Sequence, residues 1–413
     1  MTDSISSASP GACGTGGSLR GQLFLYMAAA GCMAVATGVH DSIFNNYLAE
    51  TFQLSARARG WLEFPREFPG FLAAIMTGAL CMVAVTRVAM IGTLVFAAGM
   101  IGIVLMGHSF APMAFSMFLA SCGLHLLMPI GQSISIGLSS EHKRGARMGQ
   151  VGAVETAGVI VGTASVWLLF GFLPHNSRAG FFIAAVLALI SGLIYARMHI
   201  PHLHQRRERL VIRKKYSLYY LLEFVFGARK QIFLTFGPWV LIRIYGFPAT
   251  EIAKLLMIAA LIGVVFKPLA GRAIDLFGER SVLVADGIVL IFVCLGYGYA
   301  SHMTHDPIVA RHVACACFVA DNLLFMLGSA RAIYVTRLTQ SPQEVTSTLA
   351  MGVTINHIVS MSIPVAGGLL WMHLGYERVF LAAAILAAAN AALALRVPRK
   401  GDRRPLVPSG RDQ

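Results

Sequence analysis

Polar residues are scarce in the apolar stretches of this chain, and several recur at spacings suited to carrying protons or holding a polar solute. Asp41 and Asn45 stand four apart, which puts them on one face of a helix. Glu63, Arg66 and Glu67 also share a face, being three and four apart. Arg66 can neutralise one glutamate, and the other is a candidate proton carrier, because an uncompensated buried charge is expensive. His125 and His357 are candidate relays, since histidine titrates near neutral pH. Gln132 follows His125, while Asn356 and Ser360 flank His357. Asp321 and Asn322 form another polar pair. Arg331 lies ten residues beyond Asp321, about 15 Å along a helix and about 80° around it, so the two cannot pair directly. Asp321 therefore needs a partner from another helix, a proton or a cation, and it is the first candidate for a coupling site. Glu155 is a further candidate acid. Arg243 and Lys254 could attract an anionic group.

The elements that position these residues must be membrane helices. The chain is 56% hydrophobic and 13% charged, with a mean hydropathy of +0.69. A soluble protein carries about 25% charged residues. Twelve apolar runs can be drawn, at 21–48, 59–84, 88–107, 112–138, 148–173, 178–197, 223–246, 250–271, 281–301, 310–338, 345–372 and 376–396. A helix crosses the hydrocarbon with about 20 residues, whereas a barrel strand needs about ten alternating ones. The expected fold class is an all-α integral membrane protein with 12 transmembrane helices. Each ionisable residue inside such a span costs about 2.5–3.5 kcal/mol and marks a candidate functional position.

The net charge of +14 raises the possibility of a nucleic-acid partner, but its distribution points to a membrane. Basic residues gather at Lys143, Arg144 and Arg147, at Arg206, Arg207, Arg209, Arg213, Lys214 and Lys215, and at Arg399, Lys400, Arg403 and Arg404. With the N-terminus inside, all of these fall on the cytoplasmic side. The opposite loops hold Arg57, Arg59, Arg178, Arg311 and Arg378. The expected location is the inner membrane, multi-pass, with both termini cytoplasmic and no nucleic acid bound. Residues 1–20 read as a disordered tail without a cleavable signal, 21–197 and 223–396 as six-helix bundles, 198–222 as a basic linker and 397–413 as a basic tail.

Residues 271–283 read GRAIDLFGERSVL between two apolar runs. The string resembles the signature loop of the major facilitator superfamily of secondary transporters, with Gly271, Asp275, Gly278, Arg280 and Leu283 at the pattern's positions. Leu276 and Glu279 depart, because the family usually has basic residues there. The resemblance implies two six-helix bundles related by a pseudo-two-fold axis, a substrate cavity between them, and alternating access. It also implies a latch in which Asp275 meets a helix N-terminus and a basic residue, here Arg280, with Ser341-Pro342-Gln343-Glu344 as a well-capped helix start nearby. A degenerate partner at 78–90 keeps Gly78 and Arg87 but has Met82 for the acid and Val85 for the second glycine. Residues 117–138 also align without gaps on 317–338, an internal repeat that sets Asp321 and Asn322 against Ser121 and Cys122.

The leading functional reading is a secondary transporter of a small organic solute, coupled to protons held by Asp41, Glu67, Asp321 or His357, and monomeric. The alternatives are an efflux pump for drugs, siderophore-like metabolites or metal ions, and a non-transporting receptor or scaffold. The proton-antiporter subgroup has a Gly-rich, Pro-containing motif on span 5. Here span 5 has Gly149, Gly152, Gly158 and Gly162 without the proline, which weakens the drug-efflux reading. Cys315 and Cys317 near His312 have poor metal-ligand spacing for a helix. No nucleophile motif, phosphate loop or metal-ligand spacing suggests an enzyme, and no cofactor is expected.

Overall fold

The computed structural model describes residues 19–72, 75–76, 79–80, 82–139, 144–172, 176–200, 212–339 and 342–400. Among these residues the regular structure is helical throughout. The helices are α1 (Leu19–Phe52), α2 (Ala56–Phe71), α3 (Val85–Met106), α4 (Phe110–Gly137), α5 (Arg144–Phe172) and α6 (Ser177–Arg197). They continue with α7 (Ser217–Arg243), α8 (Ala249–Met303), α9 (Pro307–Leu324), α10 (Ser329–Leu338), α11 (Pro342–Leu374) and α12 (Tyr376–Ala394). A 3₁₀ turn, Phe325–Gly328, joins α9 to α10. Among the described residues, nine helical segments are long and apolar enough to cross a membrane. α2, at 16 residues, is too short to be counted, and Glu223, Arg229 and Lys230 keep α7 out of the set.

Two bundles result. In the first, α1 packs on α5 and α6, α3 on α4 and α6, and α2 on α4. In the second, α8 packs on α9 and α12, and α7 on α11 and α12. Phe96, Met100 and Phe181 fill one core; Phe233, Tyr297 and Phe380 fill the other. The bundles meet chiefly along α2–α11 and α5–α8. The α2–α11 contact is nearly backbone to backbone. A Cβ on Gly60 would stand 2.9 Å from the Pro364 carbonyl carbon, and one on Gly368 2.9 Å from Arg57 Cα.

Several expectations need correcting. α2 itself ends at Phe71, and residues 75, 76 and 79 beyond it are helical again, with the Met76 amide donating to the Leu72 carbonyl at 2.9 Å and the Leu80 amide to the Met76 carbonyl at 3.2 Å. Arg59 is not a loop residue. Ser55 caps α2, its hydroxyl accepting from the Ala58 amide at 3.2 Å, and Arg59 is buried one turn in. The string at 271–283 makes its turn at a single residue. α8 runs through it and breaks only at Gly278, whose φ of 78° and ψ of 162° belong to glycine alone. The seventh span is helical from Ser217, and just before it Arg213 and Lys215 form ion pairs with Glu344 of α11.

The expected latch is rearranged in the same way. Asp275 lies on the helix before the break, exposed, and Lys400 donates to its backbone carbonyl. Among the described residues no ion pair joins it to Arg280. Glu279, just past the break, is turned inward and fully buried, and it pairs with Arg337 of α10 at 2.7 Å. Ser341 and Gly78 lie outside the described residues, so the capping box and the degenerate repeat of the loop are not seen whole.

Candidate functional site

The α2 charges converge where α2, α4, α7 and α11 meet. Glu63 is fully buried and accepts from three donors. These are Arg59, Arg66 Nε at 2.6 Å, and Gln231 Nε2 of α7 at 2.8 Å. Arg59 also donates to Asn45 Oδ1 of α1 at 3.0 Å. Arg66 reaches both acids, lying 2.7 Å from Glu67 Oε1, so the sequence's choice of one glutamate for Arg66 does not arise. Glu67 Oε2 faces Nδ1 of His357 on α11 at 3.1 Å. His125 of α4 stacks edge-on against His357, ring centroids 5.0 Å apart, and its Nδ1 is 2.9 Å from the Ser121 carbonyl. Lys230 of α7 donates to Asn356 Oδ1 at 2.8 Å. Two of these bonds, Gln231–Glu63 and His357–Glu67, join one bundle to the other. So does Asn46 Nδ2 to the Phe247 carbonyl, 2.8 Å, near the end where α2 starts.

Glu63 and Glu67 sit behind their cations. The Arg66 side chain keeps 30% exposure and Asp41 66%. Asp41 is within Coulombic range of Arg66, and His40 contacts it at 2.9 Å. Arg59 and Arg66 therefore balance Glu63 and Glu67, and Lys230 lies within Coulombic range of both Glu67 and Glu223.

A second charged group lies wholly within the second bundle. Asp321 pairs with Arg229 of α7. Arg331 pairs with Glu223 of α7 at 2.9 Å, and its guanidinium carbon lies 3.3 Å from the centre of the Phe226 ring. Asp286, on α8 past the break, is buried, and its Oδ1 has no hydrogen-bond partner. It is within Coulombic range of Arg229, Arg331 and Asp321. Against Arg229 and Arg331 stand Glu223, Asp286 and Asp321, and Lys230 is also within Coulombic range of Glu223.

The other predicted residues lie outside these groups. Asn322 donates to the Phe318 carbonyl within its own helix. Glu155 is exposed and faces Lys267 across α5–α8. Arg243 lines a surface recess with Asn46, Glu50 and Phe247. Gly271 is open, with nothing near a Cβ built on it, and Arg280 is half-buried.

The model of one family, the Major Facilitator Superfamily, matches residues 26–361. The chain belongs to that superfamily. It is a multi-pass membrane transporter, and its backbone agrees with solved transporters over nearly their full length. The nucleoside transporter NupG matches at TM-score 0.71 and 15% identity, over 91% of this chain and 99% of that one. A bacterial homologue of the human lysosomal transporter Spinster, inward-facing and occupied, matches at 0.72 and 14%, over 95% and 100%. A variant of the Escherichia coli fucose:proton symporter FucP matches at 0.62 and 14%, over 93% and 100%. At such identities the likeness is one of fold. In sequence, Multidrug resistance protein 2 of Bacillus subtilis (strain 168) is 23% identical over 234 residues, 51% of this chain and 55% of that protein. The match thus spans about half the length of that relative.

Sequence reasoning passed over several members of this transporter's polar groups. Arg229, Lys230 and Gln231 are consecutive on α7, and Asp286 lies inside α8; Arg229, Lys230 and Asp286 carry the same signal, a charge within an apolar run, that flags Asp321. Glu223 reads as a span edge in the sequence, because the linker before it is basic.

Proposed function

We propose that this transporter carries a small organic solute across the inner membrane by alternating access, driven by protons, with both termini cytoplasmic. Twelve crossings follow if α8 counts as two, divided at Gly278, and α9 with α10 as one. The observation that carries proton coupling is the buried Asp286, whose Oδ1 has no hydrogen-bond partner, beside the Asp321–Arg229 pair. Leaving a buried carboxylate without a partner is costly, and one proton shared by Asp286 and Asp321 beside Arg229 removes that cost. One proton per cycle suffices energetically. A potential of 100 mV supplies about 2.3 kcal/mol per charge, a gradient of about 50-fold.

Alternating access is supported by where the bundles are tied. Their hydrogen bonds run from the α2-start end to the middle, and the close α2–α11 contact lies at that same end. The solute would enter between the bundles, against Arg66, Lys230, Asn356 and Asp41. The test is solute accumulation in proteoliposomes with and without an imposed pH gradient, the solute first chosen from a panel by thermal stabilisation. Accumulation that follows the gradient in the wild type and not in Asp321→Asn supports the reading. Accumulation indifferent to both pH and voltage refutes it.

A further inference from the structure

Glu67, His125 and His357 are far apart in sequence, on three helices from both bundles. Each presents one ligand atom, and these atoms lie within 4.8 Å of one another. Among the described residues no other cluster of this kind forms, and Cys315, Cys317 and His312 do not come together as one. All three side chains are at least about nine-tenths buried.

The local details suit a metal ion. The Ser121 carbonyl accepts the Nδ1–H of His125, 2.9 Å away, which fixes the tautomer and turns a lone pair on Nε2 toward the cluster. His357 Nδ1 and Glu67 Oε2 are already 3.1 Å apart. Two donors on one ion, bonded at 2.0–2.2 Å, stand about 3 Å from each other, so only His125 must close in. The room for an ion exists because residue 70 is glycine. A Cβ there would lie 2.7 Å from His125 Cδ2 and closer still to the His357 ring.

Two imidazoles and one carboxylate form a facial set that favours first-row divalent ions and leaves coordination positions open. Charge then constrains what fills them. Arg59 and Arg66 already balance Glu63 and Glu67, and Lys230 stands close by, so a bare dication would add two uncompensated charges to a buried site. An ion that arrives with two negative ligand charges adds none. Arg66 and Lys230, both partly open beside the cluster, suit the carboxylates of such a ligand.

We propose that Glu67, His125 and His357 bind a first-row divalent transition metal ion held by a dianionic chelating solute. This names a substrate class for the cleft between the bundles. It rests on the reading of that cleft as the solute site but shares no residue with the Asp286–Asp321–Arg229 group.

The test uses the tag-free, detergent-purified full-length protein with Co²⁺ as the probe. Co²⁺ alone is compared with Co²⁺–iminodiacetate, a neutral chelate that occupies three coordination positions and leaves three. Binding is read by the visible absorption of the ion and by thermal shift. The expected result is that the chelate binds more tightly than the bare ion. His125→Ala and His357→Ala should each weaken it by at least about tenfold. Gly70→Ala, which keeps all three ligands and fills their cradle, should weaken it too. Asp321→Asn should bind it as the wild type does, even if that variant has lost proton coupling. Absence of chelate binding to the wild type overturns the site, as does binding unchanged in both histidine variants and in Gly70→Ala. Tighter binding of bare Co²⁺ than of the chelate overturns the substrate class.

Discussion

If one proton is shared between Asp286 and Asp321, the two aspartates must compensate for each other, and a double-mutant cycle measures this. Asp286 is buried with Oδ1 unpartnered, while Asp321 holds Arg229. In Asp286→Asn an amide of the same shape replaces a carboxyl that carries the proton, so the cost should stay below about 1 kcal/mol. In Asp321→Asn, Arg229 loses its partner, but Asp286 can release its proton and become the counter-ion. The cost should then be about 1.5–2 kcal/mol, at the low end of the loss of a hydrogen bond to a charged group. In the double variant nothing compensates Arg229, and removing the last partner of a buried charge costs about 3–5 kcal/mol. The double variant should therefore lose more than the singles summed, with a coupling within the range of about 0.5–3 kcal/mol seen for residues in one network. The assay is unfolding of the four proteins in one detergent at one pH. Additive losses, or a loss in Asp286→Asn equal to that in Asp321→Asn, refute the shared proton.

Other outcomes follow from the rearranged loop and the closed end. Glu279→Gln should destabilise by about 1–3 kcal/mol, because Arg337 loses a buried partner, whereas the exposed Asp275→Asn should stay within about 0.5 kcal/mol; thermal unfolding separates them. Gly278→Ala should cost about 1–3 kcal/mol in the same assay, since alanine cannot occupy the break without strain. Gly60→Val should push α2 from α11 and open the closed end, read as a longer distance between spin labels at Arg57 and Leu374, both exposed.

Class and fold were legible in the sequence because a bilayer leaves little choice. Apolar runs of helical length, a six-plus-six division and a recognisable loop leave few alternatives. The site was legible one residue at a time. Glu63, Arg66, Glu67, His125, Asp321 and His357 stand out because each is costly in lipid. Their partners were less legible, because pairing depends on how helices face each other across the bundles. Arg59 looked like a loop residue only because α2 starts at Ala56, before the apolar run does. The loop pattern pointed to Asp275 as the latch, but a one-residue break at Gly278 turns the inward position over to Glu279. No spacing rule joins Glu67, His125 and His357, which meet only when the bundles do.

The arrangement of bonds on α7 gives the transport reading its mechanical content. Successive helix residues point about 100° apart, and Arg229, Lys230 and Gln231 use this to face three ways. Arg229 faces Asp321 within its own bundle, Lys230 faces Asn356 of α11, and Gln231 faces Glu63 of the other bundle. A bond inside one bundle survives rocking of the bundles against each other, whereas Gln231–Glu63 and His357–Glu67 do not. Opening the closed end must therefore break the Asn46–Phe247 bond and both of these, the latter at about 1.5–3 kcal/mol each because a charged partner is involved, unless a solute replaces them. A proton arriving at Asp321 loosens Arg229, and the backbone that carries Arg229 also carries Gln231 two residues on. Asp321→Asn should therefore shift the label distance between Arg57 and Leu374, while Asp41→Asn, which touches neither bond, should leave it unchanged. Equal distances in all three proteins would mean that proton and gate are not joined through α7.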